Sequence, residues 1–135
     1  MTSLSLAQSY LEKARKRLKI LPVLLVEEDY SDVVREAQEI VELSLKGLLR
    51  FIGIEPPKLH DVGSLIVEHL TRLPPEIAKE AARLAAVSKW LRKEREFAFY
   101  GEIDFIPTAE YTVEDALRAK TDAEFVVATS LKILS

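Results

Sequence analysis

Cysteine is absent from this chain, which removes disulfides, thiolate metal sites and cysteine nucleophiles together and agrees with a reducing compartment. Asparagine is absent as well, and glutamine occurs only at Gln8 and Gln38. Scarce amides beside abundant Lys, Arg and Glu look like adaptation to heat, the expectation for a thermophile. The most apolar run, Ile20 to Val26, is seven residues long, against the roughly 18–20 needed to cross a bilayer. No membrane span is expected. The N-terminal MTSLSLAQSYLEKARK has neither a basic start nor an apolar stretch of signal-peptide length, so a cytoplasmic location is expected. A surplus of positive charge is missing too: the formal net charge is -3, which argues against strong bulk attraction to nucleic acid while leaving room for a local basic patch.

What the chain does have is 48% apolar and 30% charged residues over 135 positions, enough to exclude disorder. Its length fits one domain, residues 1–135. Hydrophobic periodicity is helical throughout. Leu4, Ala7, Leu11, Ala14, Leu18 and Leu21 form one stripe, with Lys13, Arg15, Lys16, Arg17 and Lys19 on another face. Pro22 and the acidic Glu27-Glu28-Asp29 predict a break, with Asp29 or Ser31 as the next N-cap. Val33, Val34, Ala37, Ile40, Val41, Leu45, Leu48, Leu49 and Ile52 make a broad second stripe, ended by Gly53 and kept ended by Pro56-Pro57.

A short third helix is predicted from Val62, Leu65, Ile66, His69 and Leu70, with Asp61 as its cap. Pro75 suits the first turn of a fourth helix running to about Phe99 on Ile77, Ala81, Leu84, Val87 and Leu91. Gly101 to Tyr111 reads as a long loop pinned by its apolar residues. Thr112 followed three positions later by Asp115 is a capping box for the last helix, whose core face is Ala116, Ala119, Ala123, Val126, Val127 and Leu134. The expected fold is all-α, an antiparallel bundle of four to five helices.

No complete catalytic constellation is present. The two histidines, His60 and His69, are nine positions apart and do not share a helical face as metal ligands, so no metal is expected. The four glycines are isolated and none follows a strand, which excludes a phosphate-cradling loop. The densest polar cluster is Lys89-Trp90-Leu91-Arg92-Lys93-Glu94-Arg95-Glu96-Phe97-Ala98-Phe99-Tyr100-Gly101. Lys89, Arg92 and Arg95 or Glu96 fall on one side of a helix, where arginine forks suit phosphate or carboxylate and Tyr100 suits stacking on a base. The alternative is a solvated stripe balanced by Glu94 and Glu96.

The order Ala37-x-Glu39, Leu45-Lys46-Gly47-Leu48-Leu49, Gly53, Pro56-Pro57-x-x-His60-Asp61, Arg92-x-x-Arg95-x-x-Ala98-x-Tyr100-Gly101 and Tyr111-Thr112 resembles the HEPN domain family, from about Leu4 to Leu134. The resemblance implies a cytoplasmic prokaryotic homodimer, often produced beside a minimal nucleotidyltransferase in toxin–antitoxin pairs, and requiring no cofactor. Many such proteins are metal-independent ribonucleases whose site is an Arg followed by four to six residues and a His. Here the corresponding positions after Arg92 hold Phe97, Ala98 and Phe99, and those after Arg95 hold Tyr100, Gly101 and Glu102. No His stands there, and an ordinary Tyr, with a pKa of about 10, is a poor base near neutrality. The resemblance carries over Arg92 and Arg95 as ligand-binding residues, with Tyr100 and Glu102 or Asp104 at the lip. It implies binding of a nucleotide, of RNA or of a nucleotidyltransferase, with a divergent ribonuclease or a pure protein-interaction module as alternatives.

Overall fold

The computed structural model describes the backbone of residues 3–58, 61–100 and 111–134, with the side chains of 4–58, 61–94 and 111–134. The α-helices are α1 (Ser3–Arg17), α2 (Ile20–Val26), α3 (Tyr30–Phe51), α4 (Val62–Glu68), α5 (Pro75–Ala78), α6 (Ala81–Tyr100) and α7 (Val113–Ser130). Short 3₁₀ turns follow α4 at Leu70–Arg72 and α7 at Leu131–Leu134. The fold is an all-α bundle, with no strand among the described residues. No helix among them is long and apolar enough to cross a membrane.

Helix α3 is the axis of the bundle, because apolar side chains leave it in nearly every direction. Val33, Val34, Ala37, Ile40, Val41, Leu45, Leu48 and Leu49 are all buried, and α1, α2, α4, α6 and α7 pack around them. Such all-round burial is what a central helix requires. Leu11 and Ala14 of α1, Leu84 and Leu91 of α6, and Ala119, Ala123 and Val126 of α7 complete the interior.

The first break falls four residues before Pro22, not at it. A proline ring cannot accommodate the carbonyl four positions upstream, here that of Leu18, so a helix running through Leu18 to Pro22 is excluded. The chain instead tightens at Leu18–Lys19, where the Lys19 amide donates to the Lys16 carbonyl at 3.2 Å. Pro22 then lies in the first turn of α2, where a missing amide leaves no helical bond unmade. The stripe expected to run from Leu4 to Leu21 is thus divided between two helices. Leu4, at 49% exposure, does not reach the core, and neither does Leu134, which lies in the 3₁₀ turn beyond α7. The predicted fourth helix is likewise two, since one tightened turn at Lys79–Glu80 separates α5 from α6 while Ile77 and Ala81 both stay buried.

Two helices end in the same motif with different residues. At the end of α3, Gly53 has φ +81°, its amide donates to the Arg50 carbonyl at 3.0 Å, and the Ile54 amide donates to the Leu49 carbonyl at 2.8 Å. Arg72 closes the same terminus by donating to the Ile52 carbonyl. At the end of α2 the left-handed position is held by Glu28, φ +58°, with the Glu28 and Asp29 amides donating to Leu25 and Leu24. A glycine costs nothing in that region, whereas a residue with a Cβ costs about 1–2 kcal/mol. Glu28→Gly is therefore expected to stabilise the protein by about 0.5–1 kcal/mol after the added freedom of the unfolded glycine is subtracted. Urea denaturation checks this, and a lower midpoint for the variant would show that the Glu28 side chain outweighs the strain.

Part of the basic face of α1 is engaged within the fold. The Arg17 guanidinium lies 2.6 Å from Glu36, which is only 7% exposed, and this hydrogen bond holds Arg17 above its ordinary pKa. Arg15 pairs with Glu12 on the surface at 2.9 Å.

Candidate functional site

The candidate site lies where the start of α4 meets the second half of α6. Asp61 is the N-cap of α4: its extended backbone (φ -66°, ψ 108°) turns the carboxylate back so that it accepts the Gly63 amide at 3.0 Å. Gly63 is there because nothing larger fits. A Cβ at this position would lie 2.9 Å from the Ala85 Cα and 3.2 Å from both the Ala85 carbonyl and the Ser88 Cβ. The close approach of α4 to α6 carries Asp61 along α6 to Arg92, whose Nη1 lies 3.4 Å from the Asp61 carboxylate.

Helical spacing places Lys89 and Lys93 one turn apart beside Arg92. With Asp61 these three line an open depression of about 290 Å³. Among the described residues three cations thus face one carboxylate, and Arg92 and Asp61 remain 41% and 39% exposed. An anion entering this depression meets a net positive field and the donors of an Arg fork and two ammonium groups, the chemistry suited to phosphate or carboxylate.

The opposite flank of α6 is fixed to α7. Trp90 Nε1 donates to the Asp122 carboxylate at 2.9 Å, and the Arg118 guanidinium lies over the Trp90 ring at 4.0 Å from its centroid. Arg83 covers Phe125 in the same way at 3.6 Å. Trp90 stands between Lys89 and Arg92 in sequence, so anchoring it sets the rotation of α6 that turns those two cations away from α7. Near the end of α6, the buried Tyr111 hydroxyl lies 2.8 Å from the Glu94 carbonyl oxygen and 3.1 Å from the Glu94 carboxylate. Burial, and then the neighbouring Glu94 charge, push the Tyr111 pKa far above its ordinary value. Thr112 opens α7 with a reciprocal capping box, its hydroxyl accepting the Asp115 amide while the Asp115 carboxylate accepts the Thr112 amide.

Of the residues singled out in the sequence, the structure brings Lys89, Arg92 and Asp61 together. It adds Lys93, legible as the residue four positions after Lys89, and Gly63, whose packing role leaves no local signature. Arg95 and Tyr100 lie on the α6 backbone, but their side chains are outside the described set, as are Glu102, Asp104 and His60 altogether. Among the described residues no group of three or more His, Cys, Asp or Glu is placed to hold a metal ion.

A helical bundle bearing a basic depression between two of its helices is a broad class. Residues 7–134 match the HEPN domain, and the chain belongs to the HEPN domain family. No curated protein and no solved structure matches it.

Proposed function

We propose that this HEPN protein binds the phosphate of a nucleotide or of RNA in the depression formed by Lys89, Arg92 and Lys93, with Arg95, Tyr100, Glu102 and Asp104 as the further ligand-binding residues that the family resemblance carries over. The observation that carries this reading is the meeting, among the described residues, of Lys89, Arg92 and Lys93 with the Asp61 carboxylate in one open depression. Binding without a ribonuclease reaction fits the sequence best, because neither arginine is followed at the family spacing by a His. In this reading the protein belongs to a toxin–antitoxin or related stress system and acts as a dimer.

One observation favours a second ligand. Arg92 already holds a carboxylate, that of Asp61, at 3.4 Å, so an acidic segment of a partner protein such as a minimal nucleotidyltransferase has suitable chemistry for the same cations.

Thermal unfolding against a panel of nucleotides and short RNAs tests the proposal, with the RNA afterwards run on a gel. A ligand at about 100 times its Kd adds roughly 2.7 kcal/mol of stability. The expected result is a ligand-dependent rise that the Lys89→Ala/Arg92→Ala variant loses while its own melting temperature stays within a few degrees of the parent, since both side chains are solvent-accessible. Reversing Lys13 and Lys16 on α1 should leave the rise intact. Persistence of the rise in the double variant would sink the site, and loss of the rise only on reversing α1 would move it there. RNA cleavage that disappears with Arg92→Ala would make the protein a divergent ribonuclease. No rise with any nucleotide or RNA would leave the acidic protein partner as the better reading.

A further inference from the structure

The depression on α6 also discriminates between kinds of phosphate. Arg92 holds the Asp61 carboxylate at 3.4 Å, whereas Lys89 and Lys93 pair with no carboxylate among the described residues. Other lysines of the bundle do: Lys46 has Glu42 at 3.2 Å and Lys120 has Glu124 at 3.1 Å. Asp61 is not free to leave, because its carboxylate accepts the Gly63 amide at 3.0 Å and its carbonyl accepts the Ser64 hydroxyl at 2.8 Å. Among the described lining residues, three cations against one fixed carboxylate therefore leave an excess of two positive charges.

Phosphate reaches such a site in two forms. An internal phosphodiester carries one negative charge and two terminal oxygens. A phosphate monoester, on a free nucleotide or at the end of a strand, has three terminal oxygens and loses its second proton at about pH 6, so it is doubly charged above neutrality. The dianion neutralises the excess and offers one oxygen to each of Lys89, Arg92 and Lys93. The diester leaves a positive charge uncompensated and one cation without an oxygen. It also carries no more charge than the Asp61 carboxylate already resident on Arg92, with which it competes. Resting on the proposed phosphate site, we infer that its ligand is a phosphate monoester dianion, the terminal phosphate of a nucleotide or of an RNA end, and that internal phosphodiesters are discriminated against.

Coulomb attraction scales with the product of the charges. Removing one cation from the site therefore costs a dianion twice what it costs a monoanion on a logarithmic scale. Lys93 suits such a removal, because it is exposed and outside the Asp61–Arg92 pair.

Isothermal titration calorimetry of the intact protein, at pH 8 and low ionic strength, compares AMP with its phosphate methyl ester. The two share base and sugar and differ by one negative charge. AMP is expected to bind at least about tenfold more tightly. Lys93→Ala is expected to weaken AMP by about tenfold and the ester by only about threefold, with helical circular dichroism unchanged. A 5′-phosphorylated oligoadenylate, set against the same strand without its phosphate, separates the two sources. The phosphorylated strand is expected to bind at least about tenfold more tightly than the bare one. An affinity no higher than that of AMP assigns the site to the free nucleotide, a higher one to the strand end, and either upholds the inference. Equal binding of AMP and its ester, lost for both in Lys89→Ala/Arg92→Ala, would overturn the inference while leaving the phosphate site standing. Equal losses for both on Lys93→Ala, or equal binding of the two strands, would overturn it in the same way. No binding by any of these probes would overturn the phosphate site itself and the inference with it.

Discussion

Gly63→Ala is expected to destabilise the protein by about 1–3 kcal/mol, the range for forcing a methyl group into a filled contact. Elsewhere in a helix the same change gains about 1 kcal/mol in helix propensity, so the sign of the effect decides whether packing or propensity dominates. Packing should dominate, because the new Cβ meets the Cα of Ala85 at 2.9 Å and its carbonyl at 3.2 Å, backbone atoms that cannot rotate aside. Nor can α6 retreat: Leu84 and Leu91 are fully buried on its inner side, and Trp90 is bonded to Asp122 of α7. Denaturant unfolding measures the loss, and a variant as stable as the parent would show that the approach of α4 to α6 yields easily.

Tyr111→Phe is expected to remove about 1–3 kcal/mol near neutral pH, since it leaves the Glu94 carbonyl and carboxylate without their buried hydroxyl donor. The effect also has a pH signature. A folded-state pKa raised by burial and by the Glu94 charge means that the native state holds the phenolic proton more tightly than the unfolded chain does. This contribution is complete below the unfolded Tyr pKa of about 10 and is lost as pH rises from there toward the folded value. The stability difference between parent and variant should therefore be constant through neutral pH and narrow above about pH 10. A difference that did not change up to strongly alkaline pH would mean that the hydroxyl is not what ties this corner together.

Features written in a few neighbouring residues were legible in the sequence. The glycine after α3, the Asp61 turn and the Thr112–Asp115 pair are each decided within four positions, and the all-α class follows from one stripe after another. The position of the first break was less legible, because a proline acts on the carbonyl four residues upstream and the eye is drawn to the proline itself. Lys89 and Arg92 share a side by helical spacing alone, and Lys93 follows from the same arithmetic. That Asp61 would meet Arg92, that Trp90 would bond Asp122, or that Tyr111 would return to Glu94 depends on how far α4 and α7 slide along α6. That slide is set by packing details such as the missing side chain of Gly63, which no local pattern records.

One carboxylate, that of Asp61, serves both the α4 terminus and Arg92, and the two attachments are unequal partners. Losing the Arg92 guanidinium leaves the Gly63 amide satisfied and the helix start intact. Losing the Asp61 carboxylate undoes both, so a defect in an Asp61 variant would confound a frayed helix with an altered cleft. Arg92 is the position whose substitution reports on the cleft alone.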